Sequence, residues 1–144
     1  MKERCFIMNE KHKAIMKRFK TMINENDKVL AEELIASDAE FQSLTSSEIL
    51  YGGKGYLSVV DFMRNSFSDI HWEIEDIVAE NDKVAVSWIC SGTHDGEFMR
   101  MPPSGKKFSF RCMNFYYFNA DDKIIKDVAA QGMAGLLESL GLLK

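Results

Sequence analysis

The hydrophobic period of the chain changes near residue 69, and that change limits the folds open to it. Before it, Met8, Ile15, Phe19, Met22 and Ile23 recur at helical intervals, and so do Tyr56, Val59, Val60, Met63 and Phe67. Such spacing gathers apolar side chains on one face of a helix. After it, IHWEIEDIVAE, KVAVSWICSGTHDGEF and KKFSFRCMNFYYF alternate β-branched or aromatic residues with polar ones, and KIIKDVAAQ does so more weakly. Alternation of that kind marks strands with one buried face. Helices first and a sheet later predict an α+β fold. The spacing predicts a helix over 8–25 and a short second helix through Ile35, capped by Asn26 or Asp27. DAEFQSLT reads as a short strand, YGGKG as a loop, and a third helix starts from Lys54. Short connections join the four later strands in an antiparallel meander, and GMAGLLESLGLL closes the chain as a short helix.

Length and composition narrow the function classes. The 144 residues fit one domain, 1–144. Apolar residues make up 46% of the chain and include ten Phe, so the interior is bulky. A net charge of -4 gives no electrostatic ground for binding nucleic acid. The basic residues of the first helix fall on a solvated face. No apolar run is long enough to span a bilayer, and the one ending at Met8 is too short for a signal-peptide core. Cys5, Cys90 and Cys112 are odd in number and scattered, which suits free thiols in a reducing, cytoplasmic setting. The three His show no metal-ligand spacing, so no metal is expected.

The two-residue period of a strand then assigns faces. Phe108, Phe110, Cys112, Asn114, Tyr116 and Phe118 share one face. An even turn at NADD sets Tyr116 opposite Ile125, Asn114 opposite Asp127, Cys112 opposite Ala129 and Phe110 opposite Gln131. A slip of one residue would move every side chain to the other face. An odd loop with Asn81 in the left-handed region brings Trp72, Ile74 and Asp76 onto the face of Val86, Trp88 and Cys90. The inward surface is then a mostly apolar concavity with a few carboxylates, amides and ring donors. Small-molecule pockets have that composition, so a small apolar or aromatic ligand is expected. His94 continues the alternation, which makes GTHDGEFMRMPPSGKKFSF the rim of the cavity.

Residues 70–144, and above all GTHDGEF, PPSGKK and GLLESLGLL, resemble the SnoaL-like polyketide cyclases, also called the ester cyclase group. The resemblance implies a nuclear-transport-factor-2-like fold, a cystatin-like α+β roll in which a cone-shaped, curved antiparallel sheet is closed by the N-terminal helices. It also implies a deep cavity and homodimerisation through the sheet. Cyclases of this kind close a ring by intramolecular aldol condensation, without metal or cofactor, using an acid on the final strand as general acid/base. At the positions of that acid and its neighbours this chain has Val128, Ala129 and Gly132. Asp127, two residues before Ala129 and on its face, is either a replacement acid or a salt-bridged strand residue. Asp76 is either a second pocket carboxylate or a bulge residue that bonds backbone amides. Asn114, Tyr116, His94, Trp88, Trp72 and Gln131 are the candidate substrate contacts. Two readings stay open: a cyclase or isomerase acting on a small apolar carbonyl compound, and a non-catalytic binding module that has lost the acid.

Overall fold

The computed structural model describes residues 2–43, 46–130 and 132–142. Helix α1 spans Lys2–Glu25 and buries His12, Ile15, Met16, Phe19, Met22 and Ile23 on one face. It starts six residues before the apolar repeat does. Residues 2–7 are exposed, and the helix-favouring Lys2, Glu3 and Arg4 leave no apolar period to read there. Asn26 turns the chain at φ 54°, and Asp27 caps α2 (Lys28–Leu34) by accepting the Leu30 N–H at 2.9 Å.

Strand β1 (Glu40–Gln42) pairs with β2 (Ile49–Tyr51), and α3 (Gly52–Ser66) follows directly. The sequence reading missed β2 and took the start of α3 for a loop. Gly52 adopts φ 66°, so the glycines serve the entry into the helix. Gly53 also lets α3 cross α2 closely, since a Cβ there would lie 2.5 Å from the Ala31 carbonyl oxygen.

The main sheet has the order β3-β4-β5-β6, with β3 His71–Glu80, β4 Lys83–Thr93, β5 Lys107–Phe118 and β6 Ile124–Ala130. All neighbours are antiparallel, as the meander predicts, and the sheet is curved but not closed. Helix α4 (Gly132–Ser139) packs on β5. Two apolar clusters form the interior. One joins Met16, Phe19 and Met22 of α1 to Val84, Val86, Trp88 and Tyr116 of the sheet. The other joins Phe67, Phe98 and Phe108 to Leu136 and Leu140.

Two details of register differ from expectation. The β3–β4 connection is a two-residue turn, Glu80 pairing with Lys83, although Asn81 is left-handed at φ 56°. The odd residue sits inside β3 instead, where Ile74 pairs with Trp88 but Asp76 pairs with Ser87. This bulge leaves Glu75 and Asp76 both exposed and returns Ile77 to the inner side. Across β5 and β6, Tyr116 pairs with Asp127 and Asn114 with Ala129, two residues from the expected register. A shift of two keeps the face, so Asp127 still points with Asn114 and Tyr116. An irregularity between Tyr117 and Phe118 buries Ile124 at 1% exposure and turns Ile125 outward.

Candidate active site

Where the two apolar clusters meet, the sheet and helices enclose a cavity of about 310 Å³. Its walls come from α1 (Ile23), β1 (Phe41), α3 (Tyr56, Val59, Val60, Met63), the sheet (Trp72, Cys90, Phe110, Cys112) and α4 (Leu136). The polar groups are few: Asn114 and Asp127 on adjacent strands, Tyr56, the two thiols, and Glu40 and Gln42 of β1.

Asp127 is the centre of this polar set. Its Oδ1 accepts from Asn114 Nδ2 at 2.7 Å, and its Oδ2 accepts from the Tyr56 hydroxyl at 3.3 Å. Burial pushes the Asp127 carboxyl up to about 6, while these two hydrogen bonds pull the other way. The burial and the nearby Asp127 charge raise Tyr56 well above the usual phenol value, so it stays a donor at neutral pH. Burial likewise pushes the Cys112 thiol up to about 11 and raises Cys90 further. Neither thiol forms a thiolate near neutrality, which argues against cysteine nucleophiles. The Asn114 side-chain oxygen is buried and has no hydrogen-bond partner among the described residues.

The structure gathers some sequence-derived candidates and disperses others. Asp127, Asn114 and Trp72 line the cavity together. Trp88 and Tyr116 stand behind that lining: both are 2% exposed, and Trp88 Nε1 donates to the Tyr116 hydroxyl at 3.0 Å. They support the wall from the core. Asp76 is not a cavity carboxylate, because the bulge exposes it and its Oδ1 accepts the Ile77 N–H at 2.9 Å. That is the bulge reading left open above. Gln131 lies outside the described residues.

His94 is a further correction. It is 2% exposed, its ring centroid lies 5.7 Å from that of Phe67 of the second cluster, and it is not among the residues that line the cavity. Its Nδ1 lies 2.9 Å from the Ser104 hydroxyl and accepts the Ser104 N–H at 3.3 Å. Backbone bonds from His94 to Lys106 and from Gly105 to His94 finish the loop, with Gly105 at φ 72°. The Pro-Pro-Ser-Gly turn therefore closes over its own histidine instead of forming a rim. Tyr56 was missed as a site residue. Its place in the α3 period is that of any core aromatic, and its partner Asp127 is 71 residues away.

A family model for SnoaL-like polyketide cyclases matches residues 13–140. The chain belongs to the SnoaL-like polyketide cyclase family. Among solved structures, this SnoaL-like chain resembles IdmH of Streptomyces antibioticus, a candidate polyketide cyclase. The two are 26% identical with a TM-score of 0.74, over 90% of this chain and 98% of the other. AclR of Streptomyces galilaeus, a candidate hydroxylase, is also 26% identical, with a TM-score of 0.73 over 94% and 87% of the chains. A protein of Catenulispora acidiphila with a ketosteroid-isomerase-like fold matches at 13% identity and a TM-score of 0.70, over 89% and 92%. That likeness concerns the fold alone, and the nuclear-transport-factor-2-like architecture expected from the sequence is the one observed. No curated protein matches the SnoaL-like chain significantly.

Proposed function

We propose that the protein is a cyclase or isomerase that uses Asp127 as general acid/base on a small, largely apolar carbonyl compound. The observation that carries this is the Asp127 carboxyl, pushed up to about 6 and held by Asn114 and Tyr56 against an apolar cavity. A carboxylate with such a pKa is mostly ionised at neutral pH, yet is a stronger base than an ordinary one. It would take a proton from the carbon beside a carbonyl, and the C–H electron pair would move to the carbonyl oxygen as an enolate. In a cyclisation the enolate carbon attacks a second carbonyl of the same molecule, and Asp127 returns its proton to the new alkoxide. In an isomerisation the proton returns to a different carbon. Both balance without a further reactant. The likeness to IdmH supports the first outcome. The three free cysteines suit a reducing compartment, and a cytoplasmic location is part of the proposal.

The second reading, a binding module without catalysis, has its own support. Both oxygens of Asp127 already accept protein hydrogen bonds, so the residue also serves as a clamp between α3, β5 and β6. Ala129 and Gly132 stand where the family resemblance places acids. Exchange of the α-protons of small aryl ketones in D2O, followed by NMR, separates the two. Catalysis predicts exchange that rises with pH through about 6 and is lost in Asp127→Asn. Equal exchange with wild type and variant would leave the binding module.

A further inference from the structure

We infer that a relay of three donors, Trp88, Tyr116 and Tyr56, aims the Asp127 carboxylate and sets its basicity, which makes the two tyrosines positioning residues. This rests on Asp127 being the acid/base of the proposed reaction and adds what tunes it. Each member comes from a different element: Trp88 from β4, Tyr116 from β5, Tyr56 from α3 and Asp127 from β6. Trp88 Nε1 donates to the Tyr116 hydroxyl at 3.0 Å, Tyr116 is in turn a hydrogen-bond partner of Tyr56, and Tyr56 donates to Asp127 Oδ2 at 3.3 Å. The two ends fix the direction. An indole N–H can only donate, so the Tyr116 oxygen accepts there and its own proton is turned toward Tyr56. An ionised carboxylate can only accept, so Tyr56 gives its proton to Asp127 and keeps its oxygen for Tyr116.

Packing sets this polar chain inside an apolar wall. Trp88 and Tyr116 are 2% exposed, and the Phe19 ring lies 5.1 Å from that of Tyr56 and 5.2 Å from that of Tyr116. Phenylalanine at 56 and 116 would fill the same space without hydroxyls that need partners. Burial and the Asp127 charge hold both phenols well above their usual value, so both stay donors where Asp127 titrates, at about 6. The relay thus favours the charged carboxylate against burial, and it fixes Oδ2 while Asn114 holds Oδ1. Linked hydrogen bonds polarise one another, so Tyr116 acts on Asp127 through Tyr56. The other titratable groups in the same lining are Cys90 of β4, Cys112 of β5 and Glu40 of β1. They are common to every variant below, so their effects cancel.

The test is a carbon-13 NMR titration of the Asp127 carboxyl in the full chain, which needs no substrate. Tyr56→Phe should raise the midpoint from about 6 to about 7, tenfold in the ionisation constant, as expected for losing one hydrogen bond to a charged group. Tyr116→Phe should move it the same way by roughly twofold, although Tyr116 gives Asp127 no hydrogen bond of its own. Placing 3-fluorotyrosine at position 56, a more acidic phenol of nearly the same size, should lower the midpoint. A mere packing defect has no reason to give that opposite sign. The pH profile of α-proton exchange should move with the titration in each case. An unchanged midpoint in Tyr56→Phe, or a raised one with fluorotyrosine, would overturn the inference. So would an unchanged midpoint in Tyr116→Phe, which would leave Tyr56 acting without a relay. Should Tyr56→Phe not fold, the fluorotyrosine protein decides alone. Shifted midpoints without any α-proton exchange would remove the catalytic reading and leave the relay standing; exchange with unshifted midpoints would do the reverse.

Discussion

Asp127 is where a single residue couples stability to chemistry. Its rise from the ordinary aspartate value of ~3.9 to about 6 corresponds to about 3 kcal/mol of preference for the protonated fold. The sign follows from the direction. A raised folded-state pKa means that the stabilising contribution is complete below pH ~4 and is lost as pH rises through about 6. Asp127→Asn keeps an acceptor for Asn114 and can donate to the Tyr56 hydroxyl. The variant should therefore match the wild type at pH 4 and exceed it by up to about 3 kcal/mol at pH 8 in urea unfolding. A variant less stable than wild type at pH 8 would mean that the two hydrogen bonds outweigh burial. The face of Asp127 was legible because strand alternation tolerates an error of two residues in pairing. Tyr56 was not legible, because nothing local distinguishes a helical tyrosine that fills space from one that holds a carboxylate.

At the scale of elements, the order of helices and strands followed from the change of period, but the details that aim side chains did not. The bulge in β3 had a local sign. Ile74 and Ile77 are three apart, with Glu75 and Asp76 between them, where strict alternation would space apolar residues by two. An odd turn at Asn81 accounts for the same face, so the alternation alone does not choose between them. Once formed, the bulge is held on the outside. The Glu75 carboxylate accepts from Ser87 at 2.8 Å and from Arg111 Nε at 2.6 Å, and the guanidinium holds Glu75 down to about 2. The crossing of α2 and α3 has a sharper requirement. A methyl at Gly53 would meet backbone atoms of Ala31 and Glu32 at 2.5–2.9 Å, and backbone cannot swing aside as a side chain can. Gly53→Ala should cost about 2 kcal/mol in urea unfolding, in the range for overpacking. A cost below ~0.5 kcal/mol would show that the helices separate readily. Because Tyr56 lies one turn further along α3, the same variant should also loosen its bond to Asp127 and lower ligand affinity.

For the whole molecule, the decisive asymmetry lies between the two faces of the sheet. The inner face is covered by helices and encloses the cavity. On the outer face Met113 is 55% exposed, Phe115 51% and Val128 43%, and Phe115 pairs directly with Val128 across the β5–β6 ladder. These side chains adjoin one another, unlike the single exposed apolar residues common on any surface. The β5–β6 ladder holds these side chains on one face, and the Glu75–Arg111 pair beside it supplies a polar border. A second copy of the chain would offer the same patch, which a two-fold axis makes self-complementary. The protein is therefore expected to be a homodimer through this face, as the sequence resemblance also implies. Light scattering at micromolar concentration should give twice the 16.5 kDa chain mass. Phe115→Glu would place a charge at the centre of the contact and should return the mass to that of one chain. Since Phe115 points away from the cavity, ligand affinity should persist in the monomeric variant. A wild-type species of 16.5 kDa alone would refute the dimer, and a variant that stays dimeric would move the interface to another surface.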